Sequence, residues 1–365
     1  GDSAKVNARW RQKAAFDFSW RITFEGETAA GGTVDGSAGS GEIAAEIAPA
    51  RLWSPDSPAL YFLELEPAEP AGAEAESVRF GIREIRTDGH RLLLNGEQVK
   101  LRGVSLHEEQ VPHGRSIPRE LRYDDVKSIR SLGFNALRTA HYTHDRALAE
   151  AADEAGLLIL EEIPVYWDLD YADPELFDKA SSMVRDMIDR DFNHPSVIQW
   201  SVGNEIPVER ADCDSFIRRL MEFARELDPT RLVSYVSCRF LIDETRKEAD
   251  TACVNCYIGW YFGSERDLDP LLRATRTTAP DKPWIMTEFG AGARAGFRGR
   301  AKKKFTEERQ KEILSHYIRT LNAYDWVAGW FIWIYRDFRS PIRMNRHQQG
   351  FNRKGIVSET NEKKL

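Results

Sequence analysis

Val197 to Glu205 reads VIQWSVGNE, and Pro283 to Glu288 reads PWIMTE, running on through Phe289, Gly290 and Ala291. Both runs are rich in β-branched and aromatic residues, which predicts buried strands. Each delivers a glutamate at its C-terminal end, the end at which a parallel α/β barrel holds its chemistry. Two carboxylates converging on one pocket are the minimal equipment for glycoside hydrolysis.

Outward from these runs the chain keeps a strand–helix rhythm. Strands are predicted at Leu101 to His107, Asn135 to Thr139, Leu157 to Ile163, the run ending at Glu205, Leu232 to Val236, Ala252 to Ile258, Trp284 to Glu288 and Gly329 to Trp333. Helices fall between them at Asp124 to Leu132, Asp145 to Ala155, Pro174 to Asp191 and Phe216 to Leu227, the first two stopped by Gly133 and Gly156. A doubly wound sheet would fit the local pattern, but eight β units over residues 86–365 favour a (β/α)8 TIM barrel. Residues 334–365 carry no helical pattern, so the barrel is expected to lack its last helix here.

Residues 1–85 differ. Short alternating runs (Phe16 to Phe24, Gly41 to Ile47, Leu60 to Leu65) are separated by Gly, Ser, Ala and Pro clusters, and Gly31 to Gly41 reads as a loop. This spacing predicts a small immunoglobulin-like antiparallel β-sandwich that positions its neighbour rather than doing chemistry. With no initiator Met and no signal sequence at Gly1, the chain reads as a piece of something longer.

Composition narrows the function. The chain has 365 residues, 51 basic and 58 acidic, for a net charge of −7, which argues against a nucleic-acid surface. No apolar run reaches membrane-span length. Four cysteines are too few for a disulfide framework, and Cys253 and Cys256 lie inside the apolar run TACVNCYIGWY, where strand packing outweighs a metal site.

The motifs line up in order with a known family. LWSPDSPALYFLELE (Leu52 to Glu66), VRFGIREI with LLLNGEQVKLRGVSLHEE, LRTAHY, DFNHPSVIQWSVGNE and TEFGA together resemble glycoside hydrolase family 2, which includes β-galactosidases, β-mannosidases and β-glucuronidases. The resemblance implies that Glu205 is the acid/base and Glu288 the nucleophile of a retaining enzyme. It further implies that Asn204 bonds the sugar 2-hydroxyl, that Tyr257 orients the nucleophile, and that Arg138 holds it ionised. His107 and His141 match substrate-contacting histidines, and Trp333 matches the platform at the end of the eighth strand.

Asn352-Arg353-Lys354-Gly355 is similar to the Asn-x-Lys pattern by which β-glucuronidases grip the sugar carboxylate, and VNCYIGWY, with Trp260 and Tyr261, points to the same branch. The arginine that those enzymes carry upstream has no counterpart in register, although Arg343 and Arg346 stand nearby. Six basic residues from Arg294 to Lys304 either rim the pocket or form a solvated loop. The expected substrate is a small β-linked uronide. No cofactor or metal is expected, no nucleic-acid or membrane partner, and a homo-oligomer is left open. The rival readings are a neutral-sugar hydrolase such as a β-galactosidase and a carbohydrate-binding protein without catalysis. The family's jelly-roll-like sugar-binding domain has no match in the chain, so activity lower than that of a complete protein is expected.

Overall fold

The computed structural model describes residues 3–13, 16–68, 74–300 and 302–365. The chain divides into two compact units, Gly1–Arg83 with Asn193–Pro195, and Glu84–Phe192 with Ser196–Leu365.

In the smaller unit, β1 (Ala4–Arg11) pairs antiparallel with β4 (Ser40–Ile47). A second antiparallel sheet runs in the order β3–β2–β5–β6, with β2 Phe18–Phe24, β3 Glu27–Val34, β5 Tyr61–Pro67 and β6 Glu76–Phe80. Ile22, Tyr61 and Leu63 of this sheet and Ile47 of β4 form the buried centre of the unit. One expectation fails here. The glycine-rich stretch from Gly31 is not all loop, because Gly31–Val34 completes β3 opposite Arg21, Trp20, Ser19 and Phe18. The glycines have a packing reason: a Cβ on Gly32 would lie 3.1 Å from the Trp20 indole. Strands β1 and β6 are likewise absent from the predicted set.

The larger unit opens with a small antiparallel sheet, also unforeseen, of β7 (Ile85–Asp88), β8 (Arg91–Leu94) and β9 (Glu97–Gln98). Eight parallel strands follow and close into a barrel: β10 Leu101–Leu106, β11 Ala136–Thr139, β12 Leu158–Glu162, β13 Val197–Asn204, β14 Leu232–Ser237, β15 Ala252–Asn255, β16 Trp284–Phe289 and β17 Val327–Ile332. Residues of β11 through β17 are buried throughout, because barrel strands face side chains inside and helices outside. The doubly wound alternative is excluded where β10 pairs with β17, Leu101 opposite Gly329 and Val104 opposite Ile332. Two glycines let that seam shut: a Cβ on Gly103 would meet the Phe331 ring at 2.2 Å, and one on Gly329 would meet Leu101 at 2.5 Å.

Helices α1 (Arg119–Ser131), α2 (Arg146–Ala155), α3 (Pro174–Asp191), α4 (Ala211–Leu227), α5 (Leu268–Arg276) and α6 (Glu307–Asn322) fill the crossovers, except that β14 joins β15 through a single 3-10 turn at Thr245–Lys247. Local chemistry sets their ends. Asp145 and Asp173 accept from Ala147 N and Glu175 N, Pro174 occupies the first turn of α3, and Gly156 closes α2 in the left-handed region. Beyond β17, the residues of 334–365 form no helix but a two-stranded ribbon, β18 (Phe338–Arg339) with β19 (Phe351–Asn352).

Candidate active site

The carboxyl ends of the barrel strands collect an ionic network centred on Arg138 of β11. Its guanidinium is 1% exposed, donates to Glu288 Oε1 at 2.7 Å and Asn204 Oδ1 at 2.9 Å, and meets both oxygens of Glu162 at 3.0 Å. Burial works against the charge of Arg138, but the two carboxylates outweigh it and raise its pKa. Burial likewise pushes Glu162 up, yet Arg138 and His141 hold it below the ordinary carboxylate range. Tyr257 Oη donates to the other oxygen of Glu288 at 2.7 Å, so both oxygens of that carboxylate are tied down.

Glu205, just past β13, is reached through a backbone φ of 56°, its N–H bonded to Val236 O at 2.8 Å. Asn255 Nδ2 donates to Glu205 Oε1 at 2.9 Å and to Asn204 Oδ1 at 3.1 Å, and Thr287 Oγ1 donates to Asn255 Oδ1 at 2.9 Å. The pKa of Glu205 is raised, first by burial and then by the charge of Glu288. Asn204 spends its oxygen on Arg138 and Asn255, leaving its NH2 without a partner among the described residues.

An aromatic wall stands beside the carboxylates. Trp333 stacks on His141 with centroids 5.0 Å apart and an interplanar angle of 16°. His141 Nδ1 lies 2.8 Å from Glu162 Oε1, and its Nε2 is 3.7 Å from Glu288 Oε1. His107 packs among Tyr142, Trp333 and Phe338, and burial followed by His141 lowers its pKa well below the ordinary value, keeping it neutral.

Lys354 is 4% exposed. Its Nζ donates to Tyr261 Oη at 2.6 Å and sits 5.0 and 4.8 Å from the Tyr257 and Tyr261 ring centroids. No carboxylate among the described residues is paired with it, and burial lowers its pKa. Asn352 Oδ1 accepts from the Lys354 backbone N–H at 3.2 Å. This loop is fastened from behind. Fully buried Asp337 accepts from Lys364 Nζ at 2.7 Å, Gly355 N at 2.8 Å and Arg353 Nη1 at 3.3 Å, and Lys364 Nζ also donates to Ala293 O at 2.7 Å. Burial pushes Asp337 up to about 6 despite its two cations.

All eleven residues singled out from sequence therefore lie at this end of the barrel or on the loops that follow its strands. Glu162, Asn255, Asp337 and Lys364 were missed. For Glu162 and Asn255 a signal existed, since each is a polar residue inside an otherwise apolar strand run. Among the described residues no group of three or more His, Cys, Asp or Glu side chains is placed to hold a metal ion, and no helix is long and apolar enough to cross a membrane. Cys253 and Cys256 are buried free thiols in strand packing.

A closed parallel barrel with buried, cross-bridged carboxylates at its carboxyl-terminal rim is the architecture of a barrel enzyme. Residues 85–364 match the model of the TIM barrel domain of glycosyl hydrolases family 2, and the chain belongs to that family. It is 31% identical over 350 residues to a β-glucuronidase of Paenibacillus borealis, covering 90% of this chain and 58% of that protein. It is 30% identical to human β-glucuronidase over 82% of this chain and 49% of that one. The chain thus spans about half to three-fifths of the length of these two relatives. Among solved structures, a β-D-glucuronidase of Dictyoglomus thermophilum superposes with a TM-score of 0.90 at 28% identity, over all of this chain and 65% of that one. A family 2 β-galacturonidase of Eisenbergiella tayi bound to galacturonate gives 0.86 at 29%, over all of this chain and 67% of that one.

Proposed function

We propose that the chain carries the catalytic barrel of a retaining, exo-acting β-glycoside hydrolase that removes a terminal β-linked uronic acid. Glu288 is the nucleophile, which attacks the anomeric carbon while Glu205 donates its proton to the departing glycosidic oxygen. Water then enters from the vacated side, gives its proton to Glu205 and breaks the glycosyl–Glu288 ester. The environments support this division of labour. Arg138 and Tyr257 neutralise and orient Glu288, whereas burial and a neighbouring charge keep Glu205 protonated to higher pH. Once Glu288 is esterified its charge is gone, so Glu205 becomes more acidic when it must act as base. The Asn204 NH2, without a partner among the described residues, suits the sugar 2-hydroxyl, and Trp333 with His141 and His107 offers a platform for the ring.

The observation that carries the uronate reading is Lys354, a buried ammonium that no carboxylate among the described residues pairs with. A C6 carboxylate completes it, with Asn352 and Tyr261 beside it, where a neutral hexose leaves the charge uncompensated. Glucuronides and galacturonides share that carboxylate, and both are substrates this grip accepts. We read the two sheets of residues 1–85 as an immunoglobulin-like sandwich without chemistry, and residues 86–365 as the catalytic domain.

The test is initial-rate hydrolysis of nitrophenyl β-glucuronide, β-galacturonide and β-galactoside by the protein and its Lys354→Ala variant. Uronide turnover whose preference disappears in Lys354→Ala is the expected result. A preferred galactoside with a silent Lys354→Ala leaves only the hydrolase class standing.

A further inference from the structure

Asn255 closes β15 with its side chain buried, and every hydrogen bond it makes has a fixed direction. A guanidinium only donates, so the Asn204 atom that Arg138 meets at 2.9 Å is the oxygen, Oδ1. Facing that oxygen at 3.1 Å, Asn255 presents its NH2, and the second hydrogen of the same group goes to Glu205 Oε1 at 2.9 Å. The Asn255 oxygen then needs a donor, which fully buried Thr287 supplies from its hydroxyl at 2.9 Å. The amide is held the same way round from both ends, by Arg138 through Asn204 and by Thr287 from behind. A reversed amide would set oxygen against oxygen at Asn204, and buried acceptors left unpaired are costly.

The consequence falls on Glu205. An N–H aimed at Oε1 leaves no place for a proton on that side of the oxygen, because two hydrogens would meet there. Oε2 has no partner among the described residues. Glu205 is also faced by Glu288 of β16, by Arg138 of β11 and by His141 just after it, while Tyr257 and Cys238, which follow β15 and β14, feel its charge. Among the described residues, Asn255 is the side chain that bonds the carboxyl.

We infer that Asn255 and Thr287 are positioning residues that confine the acid/base proton of Glu205 to Oε2, the oxygen left open for the departing glycosidic oxygen. This rests on the assignment of Glu205 as acid/base and deepens it. In the first half-reaction the proton on Oε2 passes to the glycosidic oxygen. The bond to the anomeric carbon breaks, its electron pair leaves with the aglycone, and Glu288 forms the new bond. In the second, water gives its proton back to Oε2 as the ester to Glu288 breaks. Asn255 donates to Oε1 throughout, more strongly when Glu205 is ionised, which pulls the Glu205 pKa down against burial and the charge of Glu288. Thr287, the threonine of TEFGA, stands beside the nucleophile yet turns to the neighbouring strand, and this relay gives it a role.

The experiment measures kcat/KM across pH for phenyl β-glucuronide, whose leaving group needs a proton, and for dinitrophenyl β-glucuronide, whose leaving group departs without one. The wild type is compared with Glu205→Ala, Asn255→Asp, Thr287→Val and Thr287→Ser. Asn255→Asp puts an acceptor where the amide donated. It is expected to cost about 100-fold on the phenyl glycoside, the lower end of a general acid's contribution, and little on the dinitrophenyl one. Thr287→Val keeps the volume without the hydroxyl and should show the same pattern at about tenfold, the worth of one hydrogen bond, with Thr287→Ser recovering it. In Asn255→Asp and Thr287→Val the alkaline limb of the phenyl glycoside profile should move to higher pH, because donation to the ionised carboxyl is lost or weakened. If Glu205→Ala loses the phenyl glycoside selectively while Asn255→Asp and Thr287→Val affect both glycosides equally or neither, this inference fails and Glu205 stands as acid/base. If Glu205→Ala itself affects both equally, the acid/base assignment fails.

Discussion

Replacing Arg138 by Met tests the ionic network most directly. The wild-type guanidinium reaches Glu288 at 2.7 Å and Glu162 at 3.0 Å, and those two side chains are 6% and 0% exposed. The substitution keeps most of the volume but strands two dry carboxylates that had shared one cation. Removing one partner of a buried pair costs about 3–5 kcal/mol, and that range is expected here, since two acids lose their shared cation while Tyr257 still bonds Glu288 and His141 and Ser201 still meet Glu162. The loss should depend on pH with a definite sign. In the wild type Glu162 titrates below its ordinary value, so it contributes stability above the unfolded carboxylate pKa and loses it as pH falls through the folded one. In Arg138→Met, burial goes unopposed by the arginine and the Glu162 pKa moves upward. Protonation then relieves the variant as pH falls, and its deficit shrinks between pH 7 and pH 5. Adding Glu162→Gln should restore about 1–3 kcal/mol, a coupling typical of residues in one network. Urea denaturation followed by tryptophan fluorescence at both pH values gives these numbers. A deficit below about 1 kcal/mol, against the 3–5 expected for a broken buried pair, would refute the reasoning, as would one equal at pH 7 and pH 5.

Three further outcomes are expected. Glu288→Gln should lower the pKa of Glu205 by removing a like charge yet leave it above the ordinary glutamate value, because burial is the larger cause; carboxyl 13C NMR titration reads the shift, and an unmoved pKa excludes the coupling. Asp337→Asn weakens the anchor behind Lys354 and should cost about 3–5 kcal/mol in unfolding experiments while raising KM for a uronide more than for a neutral glycoside; an equal change in both places the knot outside recognition. Gly103→Ala forces a methyl against the Phe331 ring and should cost about 1–3 kcal/mol with the pocket chemistry intact, whereas a neutral effect on thermal unfolding means the seam is looser than its geometry.

Much of this was legible in the chain because barrel strands are dry on both faces. VIQWSVGNE and PWIMTE advertise burial, and a glutamate at the end of each run stands out against it. Glu161 and Glu162 were harder, since adjacent residues of a strand point to opposite faces. Glu162 turns toward Arg138, and Glu161 toward Arg190 on α3, yet in the sequence they are two alike acids. Lys364 sits in what reads as a solvated charged tail, and only the folded chain brings it 2.7 Å from Asp337. The glycines of Gly31–Val34 carried the opposite error: composition says loop, while the indole of Trp20 asks for the missing side chain.

The knot behind Lys354 bears on how selectivity can be moved between barrels. Asn352, Arg353 and Lys354 are consecutive and look like a portable cassette. The aspartate that pins them lies fifteen residues upstream of Asn352 and the lysine that pins the aspartate ten residues downstream of Lys354, while Ala293, a third attachment point, follows the seventh strand. A graft of the triplet alone delivers the ammonium without its anchor, free to swing toward water. On the proposed reading, transferring uronate preference to a neutral-sugar barrel means moving Asp337 and Lys364 together with the triplet, as one unit.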